Sequence, residues 1–530
     1  MPDASPGQAG ASTARWQPSH NPWLIATAVM AATFMEILDT SVANVSLPHI
    51  AGNLSATTEE ATWVLTSYLV SNAIVLPITG WLGMYFGRKR LLTICISVFT
   101  LASVLCGMAP NLGFLIVARI LQGFGGGALI PVSQAVLLES FPPEKRGVAM
   151  ATFGMGVVVA PILGPTLGGW ITDNYSWRWI FYINLPVGIF AALMAQAFVE
   201  DPPYIKHAKI ERIDFIGFAL LAVWLGTLQV ILDKGQQEDW FASGWICWFA
   251  VLSVGCFLAF LIREFRTRHP IVDLRVLKNR NFAAGVMLIT TLGAVLYGTT
   301  AALPIFLQTL MGYPALESGL ALSPRGIGAF ITTFIVGRLI GRVRNRVLIT
   351  VGFSLLAVSS FWLGQINLQV SLWQVILPSV LNGVAISFIF TPLTTAAVGH
   401  LQQAQMGNAT GIYNLMRNLG GSFGIALVTT MLVRRAQVHQ ALMVGHLTPY
   451  DPVYVQRLAA ATHALAAQGD PVQAQVQAQG LIYNTLQSQA SLWAFVENFR
   501  LFGLFCLACI PLVFLFKKVK RSGGGPGAMH

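Results

Sequence analysis

The stretch Phe34–Pro48, FMEILDTSVANVSLP, places two carboxylates inside an apolar segment that is long enough to cross a bilayer. A helix of about 20 apolar residues spans the hydrocarbon core. A charge at that depth is costly, and it therefore usually faces a partner or a water-filled cavity. Glu36 and Asp39 are three residues apart, so a helix presents them on one face. The stretch thus predicts a membrane-spanning helix with a polar functional site.

The composition of the whole chain extends this prediction to a polytopic membrane protein. The 530 residues are 55% hydrophobic and only 10% charged, with a mean hydropathy of +0.65. An average soluble domain is about 25% charged, so a soluble multidomain enzyme is excluded. We predict an all-α fold with 14 transmembrane helices, because 14 apolar runs reach the length of a span. These runs lie at 23–47, 60–84, 91–109, 112–138, 148–170, 179–199, 213–232, 242–262, 282–307, 317–337, 347–366, 372–398, 408–433 and 499–516.

The distribution of basic residues sets the predicted orientation. Lys and Arg are enriched in the cytoplasmic segments of membrane proteins. If the termini are cytoplasmic, 23 of the 32 Lys and Arg residues lie on the cytoplasmic side, six on the opposite side and three inside spans. We therefore expect both termini in the cytoplasm and the net charge of +11 mainly at the cytoplasmic rim. No basic run is interleaved with aromatic residues, so we expect no nucleic-acid partner.

Similar segments recur along the chain. Gly87–Ile96 follows the second span, and the similar Gly341–Thr350 follows the tenth. Ile130–Val136 in the fourth span resembles Thr391–Val398 in the twelfth, and the Gly-rich fifth span has a counterpart, Gly411–Gly424, in the thirteenth. This offset predicts two six-helix halves with spans 7 and 8 inserted between them. Related membrane halves are typical of transporters, whose substrate site lies near the midplane between them, although channels also contain repeats.

Span positions divide the chain into five predicted parts. They are a disordered cytoplasmic N-terminus (1–22), an N-terminal six-helix half (23–200), two inserted linker helices with a cytoplasmic loop (201–280), a C-terminal six-helix half (281–516) and a cytoplasmic tail (517–530). The C-terminal half contains a periplasmic loop at 434–498 that is rich in Ala and Gln. Loops of this length without a role are uncommon. Its segments Val453–Gln468 and Val472–Gln489 look helical, and both a solvated insertion and a docking surface remain open.

Arg119 in the fourth span is the natural partner for the acids of the first. At 1.5 Å per residue, Arg119 and Asp39 both lie about 10 Å below the outer boundary. Desolvation raises the pKa of a carboxyl group and a nearby Arg lowers it, so a conformational change can load and release a proton. We therefore predict a proton-coupling role for Asp39, Arg119 and Glu36. A static ion pair is the alternative, and Glu36 could instead meet a cationic substrate.

The fifth span reads GVVVAPILGPTLGG from Gly156 to Gly169. Small residues at a four-residue spacing let helices approach closely, and prolines kink a helix. A generic packing face would explain the glycines but not the repeated prolines. The residues that carry this pattern are Gly156, Pro161, Gly164, Pro165, Gly168 and Gly169.

Several other polar residues lie within or next to spans. The candidates for lining a cavity are Arg325, Arg417, Gln122 and Asn44. Either Arg325 or Arg417 could instead satisfy backbone carbonyls. His49 and His400 are at span ends, and we expect them to be interfacial. The sequence has no metal-ligand cluster, phosphate-binding loop or nucleophile–base pair, so we expect a protein that is not an enzyme.

Together these motifs resemble the major facilitator superfamily, specifically its fourteen-span drug/proton antiporters and most closely the EmrB-type multidrug exporters. Leu38–Val45 with Pro48 is similar to the first-span motif of that family, whose acid is implicated in proton coupling. The segment Leu115–Gly123 fits the fourth-span motif, whose arginine, here Arg119, is assigned to the proton relay. Gly156–Gly169 looks like the antiporter motif of the fifth span, which is associated with export.

Further motifs resemble the fourteen-span branch in particular. They are Trp177–Phe181 with Asn184 and Pro186, Leu232–Gly235 followed by Asp239–Phe241, and Asn414–Arg417 before Gly420 and Gly421. One position departs from the superfamily pattern, because Met84 stands where an Asp is usual between Gly80 and Arg88. The sequence therefore leaves open whether this chain has the usual salt-bridge latch at its cytoplasmic face.

The resemblance implies a multi-pass protein of the bacterial inner membrane that exports hydrophobic or amphipathic toxic compounds in exchange for protons. It implies the proton gradient as the energy source and no cofactor. It also implies a tripartite pump with a periplasmic adaptor and, through it, an outer-membrane channel, and the 434–498 segment is the expected docking place. The alternative is a proton-coupled exporter of a specific lipid or metabolite. A sensor or scaffold without transport would not need Asp39, Arg119 and the Gly–Pro helix together.

Overall fold

The computed structural model describes residues 18–142, 144–202, 205, 214–267, 270–340, 342–399, 401–467 and 471–516. Within these ranges the long elements are α-helices, which confirms the predicted all-α class. The predictions for residues 1–17 and for the tail 517–530 lie outside the described residues, as do those for His400 and for the side chain of Pro165.

Six helices form the N-terminal half. They are α1 (Pro22–Asn53), α2 (Trp63–Phe86), α3 (Arg88–Gly107), α4 (Leu112–Ser140), α5 (Arg146–Asn174) and α6 (Trp179–Phe198). The Asn21 side chain accepts a hydrogen bond from the N–H of Trp23 at 3.0 Å and so caps the start of α1. Gly87, with φ of 85°, makes the turn between α2 and α3, a backbone conformation that glycine adopts without strain.

Two inserted helices and a second set of six follow. The inserted helices are α7 (Phe215–Lys234) and α8 (Gly244–Arg266). The C-terminal half has α9 (Arg280–Thr309), α10 (Ala315–Leu322 and Pro324–Leu339), α11 (Asn345–Leu363), α12 (Leu372–Ala397), α13 (Gln403–Val444) and α14 (Pro471–Val513). A short helix, Pro452–Ala466, lies between α13 and α14.

Apolarity alone supports fewer spans than the sequence predicts. Twelve helices of the described residues are long and apolar enough to cross a membrane, and the bent helix α5 brings the number to at most 13. α5 bends by 41° between Arg146–Pro161 and Thr166–Asn174, at its prolines. α13 does not reach this apolarity because it carries buried polar side chains such as Asn414 and Arg417. The predicted count of 14 is therefore not confirmed.

Helix packing repeats between the two halves. In the N-terminal half, α1 packs on α5 and α6, α4 packs on α2 and α3, and α3 packs on α6. In the C-terminal half, α9 packs on α13 and α14, α12 packs on α10 and α11, and α11 packs on α14. Each pair of the first set matches a pair of the second at an offset of eight helices. This correspondence agrees with the internal repeat seen in the sequence.

The two halves touch on the side where α1 begins and α14 ends, which we call the terminal face. A Cβ atom placed on Gly80 of α2 would lie 2.5 Å from the backbone of Asn408 of α13, so the two helices meet backbone to backbone. Arg146 of α5 donates a hydrogen bond to the carbonyl of Gly399 at 2.6 Å. Asn408 also exchanges two hydrogen bonds with the backbone of Asp273, in the segment before α9. The structure is therefore closed at the terminal face.

Residues 434–498 do not form the loop that the sequence predicts. α13 runs on to Val444 and α14 already begins at Pro471. A helix of 42 residues is about 63 Å long and the hydrocarbon core is about 30 Å thick, so α13 extends well beyond the bilayer. Both predicted helical segments are helical where described, but the second is the start of α14 rather than a separate element. The Ala- and Gln-rich sequence has a high helix propensity, so α13 and α14 continue beyond the bilayer as a pair of helices.

Candidate functional site

The buried centre of the N-terminal half is an ion pair between α1 and α4. The Nη1 atom of Arg119 lies 2.6 Å from Oδ2 of Asp39, and both side chains are almost fully buried. The sequence placed these residues at one depth, and the structure places them in direct contact. Removing a carboxylate and a guanidinium from water requires such mutual compensation.

Two amides complete the surroundings of Asp39. Gln122 of α4 and Asn184 of α6 donate hydrogen bonds to Oδ1 of Asp39 at 2.9 and 2.6 Å. Both amides also donate to the hydroxyl of Ser103 on α3, at 3.2 and 2.9 Å. From its sequence position Gln122 is predicted only to line a cavity, and neither Asn184 nor Ser103 is predicted to belong to the site. The available signal was a polar residue that faces the interior within an otherwise apolar helix.

Arg119 is held in place by contacts with two further helices, α2 and α6. Its Nε atom donates to the carbonyl of Val64 at 3.0 Å. Its guanidinium lies over the Tyr68 ring at 4.3 Å from the centroid and near the Phe181 ring at 5.6 Å. Such cation–π contacts stabilise a desolvated guanidinium. The Arg119 side chain is therefore fixed relative to α2 and α6.

The network fits one charge state of Asp39. As an anion, Asp39 accepts hydrogen bonds from Arg119, Gln122 and Asn184. A protonated carboxyl group becomes a donor and loses acceptor strength. The proton on Asp39 would then point at one of these three donor groups, which cannot accept a hydrogen bond from it. Protonation therefore requires the surrounding side chains to move. The network can therefore convert a proton into a change of helix contacts.

Glu36 is a separate acid on the same helix. Its Oε1 atom accepts a hydrogen bond from the amide of Asn72 on α2 at 3.0 Å. Its Oε2 atom is buried and has no hydrogen-bond partner among the described residues. Arg417 of α13 is close enough to interact with Glu36 electrostatically without forming a salt bridge. The arrangement sets an acid of one half opposite a base of the other.

A polar contact between the halves lies beside this pair. The amide of Asn414 on α13 donates to Oε1 of Gln134 on α4 at 2.7 Å. Arg417, one turn further along α13, lies 5.9 Å from the centroid of the Phe390 ring. The Nε atom of Arg417 is buried and has no hydrogen-bond partner among the described residues. This layer is where a movement between the halves would change polar contacts.

The glycines of α5 divide into two groups. A Cβ atom on Gly164 would lie 2.2 Å from Oγ of Ser41, and one on Gly168 would lie 2.9 Å from Val42. The Ser41 hydroxyl donates to the carbonyl of Pro161 at 3.1 Å, which ties α1 to α5 at the bend. A Cβ atom on Gly156 or Gly169, by contrast, would find its nearest neighbour at 3.9 or 4.0 Å. Close approach therefore depends on Gly164 and Gly168.

Comparison with known proteins decides the family. Residues 29–425 match the family described as the Major Facilitator Superfamily. The chain belongs to this superfamily. It is 39% identical to the fatty acid resistance protein FarB of Neisseria gonorrhoeae, over 93% of this chain and 96% of that protein. It is 40% identical to the multidrug export protein EmrB of Haemophilus influenzae, over 81% of this chain and 84% of that protein. It is also 36% identical to EmrB of Escherichia coli strain K12, over 96% of this chain and 98% of that protein.

Solved structures share the fold. The human organic anion transporter MFSD10 superposes with a TM-score of 0.60 at 13% identity, covering 92% of this chain and all of that chain. A tryptophan double mutant of XylE superposes with a TM-score of 0.59 at 15% identity, covering 95% of this chain and all of that chain. With the family match, the apolar helices identify the protein as a multi-pass membrane transporter of the superfamily.

Met84 stands where the superfamily usually has an Asp, but a buried ion pair is still present nearby. Arg88 donates from Nη2 to Oε1 of Glu139 at 3.1 Å, and both side chains are buried. The guanidinium lies against α13, since a Cβ atom on Gly407 would be 2.6 Å from Arg88 Nη1. An arginine-based contact between the halves therefore exists here without an Asp at residue 84.

The remaining candidates differ in environment. Arg325 is buried on α10 and donates from Nη1 to the hydroxyl of Thr300 on α9 at 2.9 Å, and its Nη2 atom has no hydrogen-bond partner among the described residues. Asn44 is exposed and lies apart from the Asp39 network. His49 is at the far end of α1, 3.8 Å from Asp173.

Proposed function

We propose that this superfamily member exports hydrophobic or amphipathic toxic compounds across the bacterial inner membrane in exchange for protons, with both termini in the cytoplasm. The EmrB relatives are named as multidrug export proteins and are 36–40% identical to this chain. The observation that supports this proposal most directly is the Asp39 network. In it, one buried carboxylate accepts hydrogen bonds from Gln122, Asn184 and Arg119, and it also forms a salt bridge with Arg119. The proton gradient is the energy source, and no cofactor is required.

The proposed cycle uses the network as a proton-dependent contact between helices. Water that reaches Asp39 from the outer side would compete for its donors, and a proton would then neutralise the carboxylate. Arg119, Gln122 and Asn184 would lose their shared acceptor, and α1 would be free to shift relative to α4 and α6. Closure of the outer side and opening of the terminal face would then release the proton into the cytoplasm and admit substrate.

Proteoliposomes with the purified transporter test this exchange. An imposed proton gradient should drive substrate accumulation, and added substrate should move protons in the opposite direction in the same vesicles. A panel of chemically unrelated amphiphiles should compete with one another. Substrate accumulation that is unchanged after the gradient is collapsed would overturn the proposed coupling.

A proton-coupled exporter of a specific lipid or metabolite is the second candidate. FarB, named for fatty acid resistance, matches this chain along nearly its whole length. The unpaired guanidinium atom of Arg325 favours an anionic cargo on this scaffold. The competition assay separates the two candidates, because a specific exporter should be inhibited only by close analogues of its cargo.

We also propose that the protruding helical pair binds a periplasmic adaptor, and through it an outer-membrane channel. α13 and α14 are joined beyond the bilayer by the ion pair of Arg435 and Glu497, with His439 on the same carboxylate at 3.0 Å. Apolar side chains are exposed on this part, which is typical of interaction surfaces. They include Val438, Leu442, Tyr450, Val453, Val476 and Leu481.

Deletion of about residues 440–490, with a short Gly–Ser linker, tests the adaptor proposal. The variant should insert and bind substrate as the wild type does, because the protruding part cannot reach a midplane cavity. Adaptor co-purification and cellular resistance should be lost.

A surface variant controls for effects of the deletion on folding. Leu442→Ser with Leu481→Ser changes only exposed side chains, and it should reduce adaptor co-purification without altering thermal stability. Co-purification of the deletion variant at wild-type yield would favour a solvated insertion without a docking role.

A further inference from the structure

Arg325 is a buried charge without an opposite charge. The residue is 8% exposed and lies on α10, between α9 and α12. Its Nη1 atom donates to Thr300 Oγ1 at 2.9 Å, and its Nη2 atom has no hydrogen-bond partner among the described residues. A hydroxyl dipole does not neutralise a guanidinium, so the charge is uncompensated.

The other buried charges away from the helix ends have counterparts. Asp39 forms a salt bridge with Arg119. Glu36 interacts electrostatically with Arg417 across the halves. Arg325 alone among these five has no carboxylate near it in the described residues, and only desolvation acts on its charge. Arg325 is therefore a buried positive charge without a carboxylate partner among the described residues.

The depth of Arg325 excludes a role at the lipid headgroups. Arg325 is ten residues from the start of α10, about 15 Å at 1.5 Å per residue. Thr300 is nine residues from the end of α9, about 13 Å. Both side chains thus lie near the middle of a core about 30 Å thick. Substrate sites of transporters with related halves lie at that level.

The position of Arg325 is fixed by packing. A Cβ atom on Gly383 of α12 would lie 1.9 Å from the Arg325 carbonyl oxygen, so the backbones of α10 and α12 are in direct contact. Thr300 holds one side of the guanidinium from α9. The Nη2 atom is buried and has no hydrogen-bond partner among the described residues, so it is the part of the group that a ligand would satisfy.

We propose that Arg325 is the subsite for the acid group of an anionic amphiphile, with Thr300 orienting the guanidinium. A carboxylate or sulfonate would accept a hydrogen bond from Nη2 and neutralise the charge of Arg325. Arg417 does not serve this purpose because it interacts electrostatically with Glu36. This proposal rests on the proposed export function and specifies one class of its substrates.

Equilibrium binding to the purified full-length transporter in nanodiscs tests the subsite. The probes are decanoate, which is an anion at neutral pH, and decyltrimethylammonium, a cation with the same alkyl chain. Arg325→Gln should weaken decanoate binding by about tenfold or more and leave decyltrimethylammonium binding unchanged. Arg325→Lys should retain most of the decanoate affinity. Arg344→Gln, at an exposed arginine before α11, should change neither.

Several results would overturn the proposal. Unchanged decanoate binding in Arg325→Gln removes the subsite, and an equal loss for both probes assigns Arg325 a structural role. If Arg325→Gln does not fold, Thr300→Val decides, since loss of the orienting hydroxyl should weaken decanoate selectively and unchanged decanoate affinity would refute the subsite. The assay uses no proton gradient, so failure of proton exchange would leave this result interpretable.

Discussion

The two halves pack alike but treat buried charge differently. In the N-terminal half, Asp39 has partners from α4 and α6, and its arginine is enclosed by rings and a backbone carbonyl. In the C-terminal half, Arg325 has one hydroxyl nearby, whereas Arg417 has one aromatic ring and the electrostatic influence of Glu36 from the other half. A buried charge with a counter-charge is stable in one conformation. A buried charge without a counter-charge is stabilised most by binding a ligand or by a contact with the other half. If the proposed function holds, the proton switch lies in the first half and ligand recognition in the second.

Glycine contacts, by contrast, are the same in both halves. Gly164 and Gly168 bring α5 onto α1. Cβ atoms on Gly420 and Gly424 of α13 would lie 2.1 and 2.2 Å from backbone oxygens of α9, which is the equivalent helix pair. The repeat is therefore maintained by close helix approach, while the charged residues have diverged.

The largest effect is expected from Asp39→Asn, which should abolish gradient-driven export. The amide cannot carry a proton, and Arg119 loses its counter-charge. Export into inverted vesicles under a proton gradient is the measurement. Asn44→Ala on an exposed position of the same helix is the control and should export normally. Gradient-driven export by a well-expressed Asp39→Asn variant would contradict the assignment of the switch to the first half.

Replacing Arg119 with methionine and replacing Arg325 with methionine should change the stability of the protein in opposite directions. Arg119→Met leaves Asp39 buried without its counter-charge and should lower the unfolding free energy by about 3–5 kcal/mol. Arg325→Met removes an uncompensated charge and should raise it by about 1–4 kcal/mol. Thermal unfolding of both variants in the same detergent gives the direction of each stability change. A lower melting temperature for Arg325→Met would show that its charge is compensated in the folded protein.

A smaller effect is expected from the glycines. Gly164→Leu or Gly168→Leu should separate α5 from α1 at a cost of about 1–3 kcal/mol, enough to slow export about tenfold. Gly420→Leu should act similarly between α13 and α9. Gly156→Ala and Gly169→Ala have room for the added methyl group and serve as controls. Wild-type export by the leucine variants at equal expression would show that close packing is not required.

The sequence predicted the fold class because span length and apolarity are properties of short windows. It also placed Asp39 and Arg119 at one depth, since rise along a helix is fixed per residue. It counted residues 434–498 as a loop because apolarity falls there, although helical structure needs no apolar surroundings. It included Gly156, Gly164, Gly168 and Gly169 of α5 in one motif, because spacing along one helix does not specify which residues of other helices it contacts.

What the sequence determined by itself was the all-α class, the presence of buried charges and the repeat, all of which follow from local composition and periodicity. Only the tertiary structure decided which charges are compensated. Ser103 and Asn184 reach Asp39 from α3 and α6, and Glu36 meets Arg417 from the opposite half. These contacts join residues that are tens to hundreds of positions apart, and they depend on how helices rotate and pack. Arg325 and Arg119 are the same residue type in similar apolar helices, and their neighbours alone distinguish a paired charge from an unpaired one.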